Sequence, residues 1–245
     1  MSRWYKEDLA YIHDVGFGDY ALGSAPGILQ TLDRNAIRGG LVVDLGCGSG
    51  LWAGELTRAA YRVLGIDISG QMIEIARKRV PEAEFRVASV FEADLPACSA
   101  VTSIGEMLNY LFDPDNNDRR ALARLFRNIY GALNPGGVFI FDIAEPGQIP
   151  RGAATKGFTE GEGWVVLLEK EEDPELGTLT RRITSFRKVG DCYRRDDEVH
   201  RLRLYSAEDL AGELSRAGFQ VRTMRGYGGY RLPKAHSAFV ARKPA

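Results

Sequence analysis

The chain has 245 residues and is 44% hydrophobic, with 32 Lys plus Arg against 33 Asp plus Glu and a formal net charge of −1. That length and apolar content can bury one sizeable core and argue against disorder, while the balanced charge argues against a general binder of polyanions. No apolar run approaches the ~18 residues that span a bilayer, and the polar start, residues 1–8, does not read as a signal peptide. Three cysteines, Cys47, Cys98 and Cys192, are odd in number and far apart, so a reduced, cytoplasmic setting is expected rather than a disulfide framework. His13, His200 and His236 have no ligand spacing among themselves or with the cysteines, so no metal is expected. Glycine is the compositional outlier, with 28 residues where an average chain has ~7%.

From residue 41 to residue 142 short β-rich runs alternate with helical segments. Residues 41–45 (LVVDL) read as a buried strand, 51–60 as a helix and 61–66 (YRVLGI) as the next strand. Ser69 can cap a helix whose inner face holds Met72, Ile73 and Ala76 and which Pro81 stops. Residues 85–88 and 101–104 are further short strands. Leu122, Leu125, Phe126, Ile129 and Leu133 recur at helical spacing, Asn134-Pro135-Gly136-Gly137 ends that helix, and 138–143 (VFIFDI) form another strand. This alternation means a parallel sheet covered on both faces.

After Pro150 the rhythm changes. Residues 164–170, 179–187 and 193–205 read as three long strands joined by turns at Pro174-Glu175-Leu176-Gly177 and Val189-Gly190-Asp191, an antiparallel meander. Ser206 opens a helix carrying Leu210 and Leu214 and ending at Gly218, and residues 219–224 and 237–242 read as closing strands. The expected organisation is an α/β domain of residues 1–150 and 206–245 with a β insertion, residues 151–205, on the substrate side.

Asp44-Leu45-Gly46-Cys47-Gly48-Ser49-Gly50 follows a strand and opens a helix, the context in which a glycine loop can approach a ligand closely. A dinucleotide loop would place a third Gly at position 51, which is Leu51. Seventeen residues beyond Gly50, Asp67 ends the second strand, where a carboxylate can accept both ribose hydroxyls. Strand, G-x-G-x-G loop, helix, strand and acidic end together point to a nucleoside-type ligand.

On these residues, with GIDIS and LNPGGVFIFD, the chain resembles the class I S-adenosylmethionine-dependent methyltransferases, most nearly small bacterial ones with a β insertion after the fifth strand, amino-sugar N-methyltransferases among them. The resemblance implies a Rossmann-like seven-stranded sheet in the order 3-2-1-4-5-7-6 and S-adenosyl-L-methionine as cofactor. Gly46, Cys47 and Gly48 would line it, Asp67 would hold the ribose, and Ile68 and Met72 would lie against the adenine with Ser89 and Val90. Ser89 departs from the Asp the family often carries there. Glu106 matches the residue near the transferable methyl, with Asn109 and Tyr110 continuing its loop. Tyr20 would lie on the lid near the cofactor carboxylate. His13 stands where the family places a Tyr facing the sulfonium.

Methyl transfer from a sulfonium needs alignment above all, and a base only where the nucleophile arrives protonated. Glu106 and His13 are the candidate catalytic residues by position. His200 and His236 read as a half-buried structural His and an exposed one, and the Arg pairs Arg181-Arg182 and Arg194-Arg195 as a solvated face balanced by Asp196-Asp197-Glu198. Tyr227-Gly228-Gly229-Tyr230 reads either as a substrate loop or as a turn. The expectation is methylation of a small-molecule acceptor, an amine being one option, by a monomer or homodimer without a membrane or nucleic-acid partner. A protein or RNA methyltransferase, and a non-catalytic binder of S-adenosylmethionine, stay open as alternatives.

Overall fold

The computed structural model describes residues 4–115 and 118–245; residues 1–3 of the polar start lie outside them. Two helices, α1 (Glu7–Gly16) and α2 (Asp19–Arg34), precede the first strand. Then come β1 (Leu41–Leu45), α3 (Leu51–Arg58), β2 (Arg62–Asp67), α4 (Gly70–Arg79), β3 (Glu84–Val87), β4 (Cys98–Ser103), one 3-10 turn (Met107–Asn109), α5 (Arg119–Ala132) and β5 (Leu133–Ala144). A run of strands follows, β6 (Ala154–Gly161), β7 (Trp164–Asp173), β8 (Thr178–Val189) and β9 (Cys192–Arg203). The chain closes with α6 (Ala207–Arg216), β10 (Gln220–Met224), the short hairpin β11 (Gly226–Tyr227) and β12 (Tyr230–Arg231), and β13 (His236–Arg242). None of these helices is long and apolar enough to cross a membrane.

The main sheet runs β3-β2-β1-β4-β5-β13-β10, with β13 antiparallel to both neighbours. In order of appearance within the sheet this is 3-2-1-4-5-7-6, as the resemblance implies. Its central strands are buried and mostly apolar because both faces are covered, with Asp44, Thr102 and Asp142 as buried polar positions among them. On one face Leu122, Leu125, Phe126 and Ile129 of α5 pack on Phe139, Phe141 and Phe239, whose rings stack 4.4 and 4.6 Å apart. On the other, Ile28 and Leu32 of α2, Trp52 and Leu56 of α3, and Ile73 of α4 cover Val42, Val63 and Ile140. Side-chain caps start three helices: Ser69 accepts from the Met72 amide, Asp118 from Ala121 and Ser206 from Asp209.

The second sheet has four antiparallel strands, β6-β7-β8-β9, not the three expected. β6 escapes a reading by pattern because ATKGFTEG has no apolar alternation and every residue of it is exposed. Register sets Thr155 opposite Lys170, Lys170 opposite Arg181, and Arg181 opposite His200, one transverse row across all four strands. The two sheets meet at the loop after β4. The Leu111 amide donates to the Arg201 carbonyl at 2.8 Å. Asn109, fully buried, donates through Nδ2 to the carbonyls of Ala144 (2.9 Å) and Arg203 (2.6 Å) while its Oδ1 accepts from the Ala144 amide (3.0 Å).

Candidate active site

A cavity of about 760 Å³ lies among the residues following β1, β2 and β4, the helix α1 and the inner face of the second sheet. All the candidate cofactor-binding and catalytic residues line it: His13, Tyr20, Gly46, Cys47, Gly48, Asp67, Ile68, Met72, Ser89, Val90 and Glu106. The glycine loop turns in the left-handed region, at φ 73° for Gly46 and 52° for Gly48. A Cβ on Gly46 would strike the Met107 side chain at 2.1 Å, whereas one on Gly48 would meet nothing within 4 Å. The Gly48 backbone therefore borders open space at the strand ends, where a ligand can come close.

Asp67 braces that loop. Its Oδ2 accepts from the Gly48 amide at 2.9 Å and its Oδ1 from Ser69 at 2.8 Å. Burial raises the Asp67 carboxyl, opposed by these amides. Asp44, also on the cavity wall, accepts from Thr102 Oγ1 at 2.8 Å, and burial pushes its carboxyl up to about 7. Burial likewise pushes the Cys47 thiol up, so it stands as an un-ionised packing residue. Ser89 Oγ donates to Asp113, another cavity residue, so a carboxylate lies beside the position where the sequence lacks one.

The Glu106 loop is organised by Asp142 at the end of β5. This buried carboxylate accepts from the amides of Gly105 (3.1 Å) and Glu106 (2.7 Å) and from the hydroxyls of Tyr20 and Tyr227, both at 2.9 Å. Glu106 itself has a left-handed φ of 55°. Tyr20 is thus bound to a carboxylate of the protein. Tyr227 is buried in the β11–β12 hairpin, so Tyr227-Gly228-Gly229-Tyr230 forms an anchored turn.

Two readings of exposure are corrected here. His236 is 7% exposed, with Nε2 2.7 Å from Glu106 Oε2 and Nδ1 2.9 Å from the Lys234 carbonyl. Both partners are acceptors, an arrangement that favours the doubly protonated ring. Burial opposes that charge but Glu106 outweighs it, raising the His236 pKa. Arg181, assigned from sequence to a solvated face, instead points inward and pairs with Glu106 Oε1 at 2.5 Å and Tyr110 Oη at 3.1 Å. Burial pushes the Glu106 carboxyl up, but Arg181 and His236 prevail and hold it down at about 2. Of the other Arg pair, Arg195 pairs with Asp197 as expected, whereas Arg194 binds Glu7 and Asp8 of α1 rather than the acidic run on its own strand.

His13 is half-buried, with its Nδ1 enclosed and unpartnered and its ring edge-on to Tyr5 at 5.2 Å. Burial pushes it down to about 4, so it is a neutral imidazole at physiological pH. His200, read from sequence as half-buried, is 1% exposed, bonded to Glu198 at 2.7 Å, and on the cavity wall. Glu198 also accepts from the Tyr5 and Lys6 amides at 2.9 Å, tying the chain before α1 to β9. Of the residues that sequence reasoning missed, Arg181, His236, Asp142 and Asp113 take their places through distant pairing, and Lys170 through the register of the second sheet. The only local sign was the opposed Arg and Lys positions on neighbouring long strands.

The methyltransferase-domain family model matches residues 42–137. That stretch carries a methyltransferase domain. The chain is similar to the S-adenosylmethionine-dependent methyltransferase of Clostridium acetobutylicum, with a TM-score of 0.80 at 20% identity over 96% of this chain and 98% of that one. It is also similar to the sugar N-methyltransferase KedS8 from Streptoalloteichus, TM-score 0.77 at 21% identity over 100% and 94% of the two chains. At such identities these structures establish the fold. Among curated relatives, the dTDP-3-amino-3,6-dideoxy-alpha-D-glucopyranose N,N-dimethyltransferase of Streptomyces fradiae is 25% identical over 91% of this chain and 88% of its own.

Proposed function

We propose that the protein transfers the methyl group of S-adenosylmethionine to an amine nitrogen of a small molecule. The observation that carries this reading is the position of Glu106 in a single cavity. The Gly48 loop and Asp67 line the same cavity as Lys170, Arg181 and His236 of the second sheet and β13. Its volume of about 760 Å³ falls within the ~300–1,000 Å³ of small-molecule sites. Similarity to an amino-sugar N,N-dimethyltransferase over most of both chains supports the choice of nitrogen. The balanced charge of the chain supports a small acceptor over a nucleic acid.

In this reading the glycine loop, Asp67, Ile68, Met72, Ser89 and Val90 hold the cofactor, which supplies an electrophilic methyl when bound. Alignment of nucleophile, methyl and sulfur can contribute roughly 7–11 kcal/mol without a covalent intermediate. Glu106 is an anion at every pH above about 2. With one lone pair left on each oxygen, it can accept an acceptor N–H and orient the nitrogen. It is too well paired to be a strong base. Lys170, Arg181 and the protonated His236 disfavour an ammonium nearby, so the amine is held in its neutral, nucleophilic form. His13, neutral above about pH 4, can stand beside a sulfonium without repulsion.

The test is methyl transfer to matched pairs of amines and alcohols, amino sugars and arylamines included, followed by mass spectrometry. Methylated amines are expected. Methylation of the alcohols with the amines untouched would overturn the nitrogen assignment.

A further inference from the structure

The inner face of the second sheet has two kinds of row. Leu168 and Ile183, opposite one another on β7 and β8, line the cavity with an apolar strip. The next row, two residues along, is Thr155, Lys170, Arg181 and His200, and all four line the cavity as well. Lys170 and Arg181 are directly opposite on neighbouring strands, where like charges destabilise a sheet. Arg181 has Glu106 for a partner, whereas Lys170 has no ion pair among the described residues. Burial and the Arg181 charge together lower the Lys170 pKa. The fold gains nothing from a second cation here, since the adjoining row shows that the same face accepts leucine and isoleucine.

The other charges on this wall do not neutralise the surplus. His236 adds a cation and Glu106 is the carboxylate shared by His236 and Arg181. Glu198 faces His200 and the Tyr5 and Lys6 amides. Donors are in excess too: Arg181 Nε and Gln148 Nε2, both on cavity-lining side chains, are buried without a partner. Buried donors left over in this way mark a missing acceptor, and the acceptor that suits a lysine beside a guanidinium is an anionic oxygen group.

We propose that Thr155, Lys170 and Arg181 form the anion-binding end of the acceptor site, so that the methyl acceptor carries a carboxylate or phosphate group in addition to its nucleophile. The apolar strip of Leu168 and Ile183 receives the carbon body beside that group. This rests on the reading of the cavity as a joint cofactor and acceptor site.

The test is calorimetric titration of the protein saturated with S-adenosylhomocysteine, using benzoate, phenyl phosphate and the neutral benzamide as probes. An anion is expected to bind about tenfold or more tightly than benzamide, and whichever of benzoate and phenyl phosphate binds better identifies the group. Lys170→Met is expected to abolish that preference and Lys170→Arg to keep it, with S-adenosylhomocysteine affinity unchanged in both. Equal binding of benzoate, phenyl phosphate and benzamide, no binding of any of them, or an undiminished preference in Lys170→Met overturns the proposal. Failure of the unaltered protein to bind S-adenosylhomocysteine would instead overturn the reading of the cavity beneath it.

Discussion

Glu106→Gln keeps the shape of a side chain and removes one charge from a buried cluster. The Glu106 and Arg181 side chains are 12% and 13% exposed, so solvent screens their interaction little. Against burial, Arg181 and His236 hold the carboxyl at about 2 instead of 4.5. At ~1.36 kcal/mol per pH unit, that gap corresponds to roughly 3 kcal/mol of stability. Because the folded value lies below the unfolded one, the contribution is complete above about pH 4.5 and is lost as the pH falls toward 2. In the variant Arg181 loses its carboxylate and His236 its reason to hold a second proton. Urea unfolding of both proteins from pH 7 to pH 3 measures the effect. The variant is expected to be less stable by about 3 kcal/mol at neutral pH, with the gap narrowing below pH 4.5. A difference under ~1 kcal/mol, or one that stays constant across that range, would refute the charge assignment. An NMR titration should show the His236 pKa, raised in the parent, dropping in the variant.

Asp67→Ala should weaken S-adenosylmethionine binding by roughly 10- to 100-fold, the worth of lost charge-assisted hydrogen bonds; unchanged affinity in calorimetry would count against a ribose contact. Asp44, held up at about 7 by burial, should release a fraction of a proton when the cationic cofactor binds nearby at pH 7, which calorimetry in buffers of different ionisation enthalpy detects. Binding with no proton exchange would mean that its charge does not respond to the ligand. The raised value also means that Asp44 costs stability as the pH climbs from about 4 to about 7. At Gly27 on α2, a Cβ would lie 2.2 Å from the Tyr227 carbonyl carbon and oxygen. Gly27→Ala should therefore lower stability by about 1–3 kcal/mol despite the ~1 kcal/mol an alanine normally adds to a helix. A raised melting temperature would show that the hairpin can move aside.

The elements most legible in the sequence were those whose apolar runs were bounded by capping or turn residues. β1 is bounded by the glycine loop and α4 by Ser69, and both lie where pattern places them. β6 was illegible because an exposed edge strand buries nothing and so carries no periodicity. The end of the cavity proposed here for the cofactor was readable because most of its residues follow consecutive strands at short range, and all of them line one cavity. The acceptor end was not. Glu106 and His236 are 130 positions apart, and charge alone suggests a place in water for His236 and Arg181. Only the meeting of two sheets makes their burial affordable, through pairing that no local window contains.

Asn109 spans that meeting. To slide one sheet against the other would break either its bond to Arg203 or its two bonds to Ala144, at roughly 1 kcal/mol or more each. The walls of the cavity are therefore set at their working separation before either ligand arrives. Little ordering entropy remains to be lost on binding, and affinity is left to depend on how well the two ligands match a preorganised space. Substitution of Asn109 would touch neither ligand and yet loosen the grip on both.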